Sequence, residues 1–237
     1  MLSVIQQALA AGQNTLSESE SKKLLAAYQI PLVESHQVYT HQEASKAATS
    51  LGFPVVLKGT GSHLLHKTES NMVRLDLRTF SEVEQAFSQI KTAAGSQLES
   101  IVVQRMIRSP REFIAGMIRD PQFGPCVMFG LGGILTEVLQ DVTFRAAPLS
   151  GQDAEDMLQE TKSAKLLGPI RGLKAVDRQA CINLLIRLGT IGLEKEPIAA
   201  IDLNPILIDG DKPVAADALV VLGQNQEKGS TQGPREV

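Results

Sequence analysis

Residues 119–133 read Arg119-Asp-Pro-Gln-Phe-Gly-Pro-Cys-Val-Met-Phe-Gly-Leu-Gly-Gly133, and the fold turns on them. Apolar stretches flank Asp120-Pro-Gln-Phe-Gly124, with Glu112–Arg119 before it and Pro125–Phe129 after it. Pro and Gly in those places suit a tight turn. A parallel pair needs a crossover of a dozen or more residues, so two strands this close in sequence run antiparallel. The second strand leads into Phe129-Gly-Leu-Gly-Gly133, whose glycines let a backbone approach a ligand or take positive φ. A plain structural turn explains the same glycines equally well.

Outward from this hairpin, Ile101–Ile107 reads as a strand, closed off by a turn at Ser109-Pro110. Further back, Ser17–Tyr28 has helical spacing, Gln37–Thr40 is β-rich, and Thr40 is an N-cap for a helix ending at Gly52. Pro54–Lys58 is a buried strand, Val73–Leu77 alternates as a strand, and Ser81–Ala94 repeats apolar residues at helical spacing. Downstream come helices over Gly151–Leu167 and Asp177–Leu193, then strands at Ile198–Leu203 and Val214–Ala218. This mixed order excludes a simple parallel sheet. The expected organisation is a smaller lobe over 1–108, a larger lobe over 109–222, and a polar, Gly-rich, disordered tail over 223–237.

A chain of 237 residues, 43% of them apolar, is long enough to bury one large core or two small ones. A net charge of −3 supplies no basic field for nucleic acid. No apolar run approaches the length of a bilayer span. Cys126 and Cys181 form neither a disulfide framework nor a zinc knuckle and read as buried structural residues. The expectation is a soluble, cytoplasmic protein.

Several residues are candidates for chemistry. Lys58 ends a strand that otherwise reads as fully buried, so its ammonium must meet an anion or snorkel to water. His66 and Lys67 follow Gly59-Thr-Gly61-Ser62, a possible anion cradle without P-loop spacing, and a neutral imidazole is a competent phosphoryl acceptor. A surface histidine reads the same way. Asp202 and Asn204 alternate along one strand, and Asp217 lies near the end of the next, an oxygen-donor set that suits magnesium. Alternatively, Asn204-Pro205 ends the strand and Asp217 faces water.

Taken in order, Lys58, His66-Lys-Thr-Glu69, Val103-Gln-Arg-Met106, residues 119–133, Asp141-Val-Thr-Phe-Arg-Ala-Ala-Pro-Leu149 and Asp202-Leu-Asn-Pro205 resemble the ATP-grasp region of ADP-forming acyl-CoA synthetases. The resemblance spans about residues 15–222 and is similar to the β subunit of acetyl-CoA synthetase. It implies an α/β (α+β) ATP-grasp fold whose two lobes, with mixed sheets, enclose a nucleotide. It also implies ATP/ADP and Mg2+ as cofactors, and a hetero-oligomer with an α subunit that supplies CoA binding, acyl-CoA and phosphate. No GxGxxG motif follows an N-terminal strand here.

On the matching positions, the resemblance implies that Lys58 holds nucleotide phosphates and that the strand at Gln104 and Met106 passes the adenine. Glu112 would lie close to the nucleotide, and Gly132 and Gly133 would admit the phosphates. Asn204 and Asp217 would ligate magnesium, Asp202 would orient an imidazole, and His66 would relay the phosphoryl group. Asn71 and Met72 stand where relatives carry glycines, and Arg105 stands where Glu is common. The alternative is a non-catalytic ATP-grasp module that senses nucleotide or acyl-CoA. A carboxylate–amine ligase is a third reading, opposed by the HKTE and GPCVMFGLGG stretches.

Overall fold

Capping residues set where the helices begin. Ser17, Thr40, Thr79 and Ser150 each accept a hydrogen bond from the backbone three residues on, and Glu20, Glu43, Glu82 and Asp153 reach back to complete capping boxes. Each such cap is worth about 1 kcal/mol. They open α2 (Glu18–Ala27), α3 (His41–Leu51), α4 (Phe80–Ala94) and α5 (Gly151–Glu160). Helix α1 (Leu2–Ala10) precedes these, and α6 (Arg178–Glu194) starts at Asp177, which accepts from the Ala180 N–H. This computed structural model describes residues 2–61, 72–133 and 140–223. The His66 loop, Asn71 and residues 224–237 of the expected tail lie outside the described residues.

The smaller sheet holds β1 (Ser35–Val38), β2 (Val55–Thr60), β3 (Val73–Leu77) and β4 (Ser100–Arg105) in the order β1-β4-β2-β3. The larger holds β5 (Glu112–Asp120), β6 (Gly124–Leu131), β7 (Val142–Ala146), β8 (Ile198–Asp209) and β10 (Leu219–Leu222) in the order β10-β8-β5-β6-β7, with β9 (Lys212–Ala215) paired further along β8. The hairpin at 112–131 forms as expected, with Phe113 opposite Leu131 and Asp120 opposite Gly124.

The expected mixed sheets are corrected: among the described residues every pairing between these strands is antiparallel. Helix α3 does bring β1 and β2 into the same direction, and α4 does so for β3 and β4. In each case another strand lies between the two. Strand β4 separates β1 from β2, and β2 separates β3 from β4.

Two apolar cores follow. Val83, Ala86, Phe87 and Ile90 of α4, with Ala44, Ala47 and Ala48 of α3, cover one face of the smaller sheet. Phe113, Met117, Val127, Phe129, Ile201 and Leu203 of the larger sheet pack against α5 and α6. Helices α1 and α2 add Ile5, Ala8, Leu24 and Leu25 to this second core, so the first thirty residues pack with the larger sheet. Among the described residues no helix is long and apolar enough to cross a membrane. Both cysteines are free, and burial pushes the Cys181 thiol up to about 12.

The helix expected over 151–167 breaks at Thr161 and resumes as a 3-10 turn over Lys162–Leu167. The cause lies far off in sequence. Buried Asp141 accepts hydrogen bonds from the Lys162 and Ser163 amides at 2.6 and 2.7 Å, drawing them out of the helical ladder.

Helix α6 sits close on the sheet because Gly189 and Gly192 carry no Cβ. One added at Gly192 would meet the Pro125 Cβ at 2.6 Å and the Met117 Cγ at 3.2 Å. Arg119 fixes the same helix end, donating to the carbonyls of Gly192, Lys195 and Ile198. Gly192→Ala gains roughly 1 kcal/mol of helix propensity, but overpacking costs about 1–3 kcal/mol. Urea denaturation is expected to show a net loss of stability; a net gain would mean that the contact with Pro125 relaxes freely.

Candidate functional site

Strand β2 runs in the centre of the smaller sheet, with Lys58 opposite Val102 on one side and Val73 on the other. The residue is buried at 6% exposure. The ammonium leaves its own sheet and donates to the Ala216 carbonyl at 3.2 Å and to Asp217 Oδ2 at 3.0 Å. The choice between snorkelling and meeting an anion is thereby resolved: Lys58 meets a carboxylate of the other sheet.

Asp217 lies in the link between β9 and β10. Both strands pair with β8, Ala215 opposite Ile206 and Leu219 opposite Asp202, so the link spans the stretch of β8 that contains Asn204. The Ala216 N–H donates to the Pro205 carbonyl at 2.9 Å and holds it there. Strand β8 does not end at Asn204-Pro205 but continues to Asp209. Asp202 and Asn204 are exposed while Ile201 and Leu203 are buried, so the two polar side chains share a face.

Asp202 is open to water on one side. The protein packed around it, and next the negative charge of Asp217, push its pKa above the ordinary carboxylate value.

Gln104 is buried on β4, and its Oε1 accepts from Lys22 Nζ at 3.4 Å. Lys22 also pairs with Glu18 at 2.9 Å and belongs to a helix of the larger core. The Met106 N–H donates to the Pro54 carbonyl at 3.1 Å. Its side chain lines an open cleft of about 520 Å³ together with Phe53, Pro54, Arg78 and Arg108. Of the expected site residues only Met106 lines this cleft, so it lies to one side of the Lys58–Asp217 contact. Two guanidinium groups from Arg78 and Arg108 hold Asp76 down to about 2.

Glu112, Gly132 and Gly133 come together at one end of the hairpin. The Gly132 N–H donates to the Glu112 carbonyl at 2.9 Å, and a Cβ at Gly132 would strike the Phe113 backbone at 2.9 Å. Gly133 has φ +75 and lies against the Glu112 carboxylate, where a Cβ would meet Oε2 at 3.0 Å. Both glycines are therefore required by geometry.

His66 lies outside the described residues, which include the other nine expected residues. Met72 is a core residue at 3% exposure whose carbonyl accepts the Gly59 N–H at 2.8 Å. The sequence reading missed the Arg105–Asp209 ion pair, 2.6 Å between a strand of each sheet, which gives Arg105 a structural partner. It also missed Lys22 as the partner of Gln104. Neither has a local signal, since both depend on which elements face each other.

Residues 7–222 match the family model described as an ATP-grasp domain. The chain is 38% identical to ADP-forming acetate–CoA ligase I subunit beta of Pyrococcus furiosus, over 90% of this chain and 94% of that one. It superposes with TM-score 0.89 and 39% identity on acetyl-coenzyme A synthetase 1 of Ca. Korarchaeum cryptofilum in complex with coenzyme A and Ca-AMPCP, covering 93% of this chain and 99% of that one. A second structure of that enzyme, with Mg-AMPPCP and its phosphohistidine segment pointing towards the nucleotide binding site, matches with TM-score 0.84 and 40% identity over the same shares. A matched ATP-grasp model over most of the chain, and a full-length relative at this identity, lead to one conclusion: the chain belongs to the ATP-grasp family, among the β subunits of ADP-forming acetate–CoA ligases.

Proposed function

We propose that this chain is the nucleotide-handling subunit of an ADP-forming acyl-CoA synthetase, acting with an α subunit to interconvert acyl-CoA, ADP and phosphate with carboxylate, CoA and ATP. The observation that carries the reading is the buried Lys58 ammonium held at Asp217, beside Asn204 of β8. The donor chemistry fits the implied ligands. One carboxylate and one amide oxygen are a typical protein share for magnesium, which takes its remaining ligands from phosphates and water.

In this reading Asn204 and Asp217 hold Mg2+, which would supply charge neutralisation on the phosphates. Lys58 exchanges part of its contact with Asp217 for phosphate oxygens. Gln104 and Met106 border the adenine, while Glu112, Gly132 and Gly133 shape the backbone beside the phosphates. Transfer to ADP breaks the N–P bond of a phosphohistidine and forms a P–O bond to the terminal ADP oxygen, with the imidazole returning to its neutral form. Such a step is mostly positioning and electrostatics. Asp202 accepts the N–H of that imidazole and favours its cationic form. His66 relays the phosphoryl group within this chain. The α subunit supplies CoA binding and thioester chemistry, and the free thiols fit a reducing cytoplasm. A nucleotide-sensing module would use the same Lys58–Asp217–Asn204 grouping to bind Mg-nucleotide, so ATP formation with the α subunit is what separates the two readings.

Lys58→Met keeps an apolar stem in the buried slot. With the α subunit, acetyl-CoA, ADP, phosphate and magnesium, Lys58→Met and Asp217→Asn are each expected to lower ATP formation by about 100-fold or more; wild-type rates in both would refute the site. Acid-labile, base-stable label from ATP on this chain should vanish in His66→Asn, and a label that persists excludes the relay.

The pKa of Asp202 is raised in the folded chain, so folding binds a proton more tightly than the unfolded chain does. Stability is then lost as pH rises from the ordinary carboxylate value, about 3.9, through the raised one. Asp202→Asn should therefore raise the Tm of the isolated chain at pH 7, with the gain shrinking toward pH 4. A gain independent of pH would contradict that origin.

A further inference from the structure

Lys22 reaches out of the core that its own helix belongs to. Helix α2 packs into the larger core through Leu24 and Leu25, yet Lys22 Nζ donates to Ser35 Oγ at 3.3 Å and to Gln104 Oε1 at 3.4 Å, both on the smaller sheet. Ser35 of β1 and Gln104 of β4 lie opposite each other there. An ammonium has donors and no acceptor, so the amide atom that faces it is the oxygen. The amide nitrogen, Nε2, is thereby turned away from Lys22. Gln104 is 3% exposed, and among the described residues nothing accepts from that nitrogen. A buried donor without an acceptor is costly, and this one is held in its orientation from the other end of the amide.

Gln104 shares its face of the smaller sheet with Lys58. Ile101 and Val103 of β4 point into the core beneath the helices, so Val102 and Gln104 point the other way, and the pairing sets Lys58 opposite Val102 and Val56 opposite Gln104. Gln104 therefore stands one row from Lys58. The side chains beside it on that face, Val56 and Val102, are buried and apolar. Two valines and an amide donor do not hold a phosphate, but they suit the plane and edge of a heteroaromatic ring. Resting on the function proposed above, we propose that Lys22 is a positioning residue for the nucleobase: it holds Gln104 Oε1 so that Nε2 donates to a ring nitrogen of adenine. The exocyclic amine of adenine is itself a donor and cannot be the partner, whereas its unsubstituted ring nitrogens carry lone pairs. Without Lys22 the amide is free to turn over and offer its oxygen, which repels the same lone pair.

Calorimetric titration of the full chain with Mg-ADP and with its 1-deaza, 3-deaza and 7-deaza analogues, each carrying C–H in place of one ring nitrogen, tests this. One analogue is expected to bind the wild type about tenfold more weakly than ADP, and Lys22→Met should bind that analogue and ADP alike. Lys22→Arg keeps a donor at the amide oxygen and should restore the difference. Gln104→Glu keeps a partner for Lys22 but offers the ring only acceptors, so it too should remove the difference, and it carries the test if Lys22→Met does not fold. Lys23→Met, exposed one residue along α2, is the control and should discriminate as the wild type does. A wild type that binds all three analogues as tightly as ADP would overturn the donor to the base, and a Lys22→Met chain that still discriminates would overturn the role of Lys22. Both results would leave nucleotide binding standing. Failure of the wild type to bind Mg-ADP would overturn the nucleotide reading and this proposal with it.

Discussion

A buried ammonium on one sheet reaches a carboxylate on the other, and the site is arranged around that contact. Lys58 enters from the middle of an antiparallel sheet whose neighbouring residues are apolar, where an unpaired charge would be very costly. Asp217 and the Ala216 carbonyl provide the compensation. For a stability role alone the pair is an uneconomical choice, since apolar replacements of buried ion pairs are often neutral or stabilising. Its positioning of a cation and an anion side by side is better suited to a ligand carrying both phosphate and metal.

Strand β8 is the second constraint. It pairs with β5, β9 and β10, and thereby presents Asp202 and Asn204 beside Asp217. A one-residue slip would turn Ile201 and Leu203 toward the site and the two polar residues into the core. The buried apolar residues of β8 therefore enforce the register that the functional residues need. Arg105–Asp209 adds a partly exposed link between the sheets, which is worth about 1 kcal/mol at most.

Much of this was legible in local sequence. The N-cap at Thr40 marked a helix start, and the turn at 120–124 required the antiparallel hairpin, whereas the cap at Thr79 went unread. Strands β7 and β10 and helix α1 escaped notice. Val142–Ala146 places Thr143 and Arg145 on its helix-facing side, which breaks apolar alternation, and Leu219–Leu222 is only four residues long. Strand order is set by which antiparallel partner inserts between two parallel ones, a long-range choice without local wording. The break at Thr161 depends on Asp141, and the partner of Lys58 lies 159 residues away. Residue types pointed to the candidates; only pairing brought them together.

The central claim is that Lys58 and Asp217 form one binding unit for magnesium and nucleotide. Calorimetric titration of Mg-ADP into the wild-type chain, Lys58→Met, Asp217→Asn and the double variant tests it most directly. Binding should weaken by about tenfold or more in each single variant, and the double variant should fall well short of the summed loss, as expected for residues that act together. Equal affinities across all four proteins, or strictly additive losses, would contradict the account.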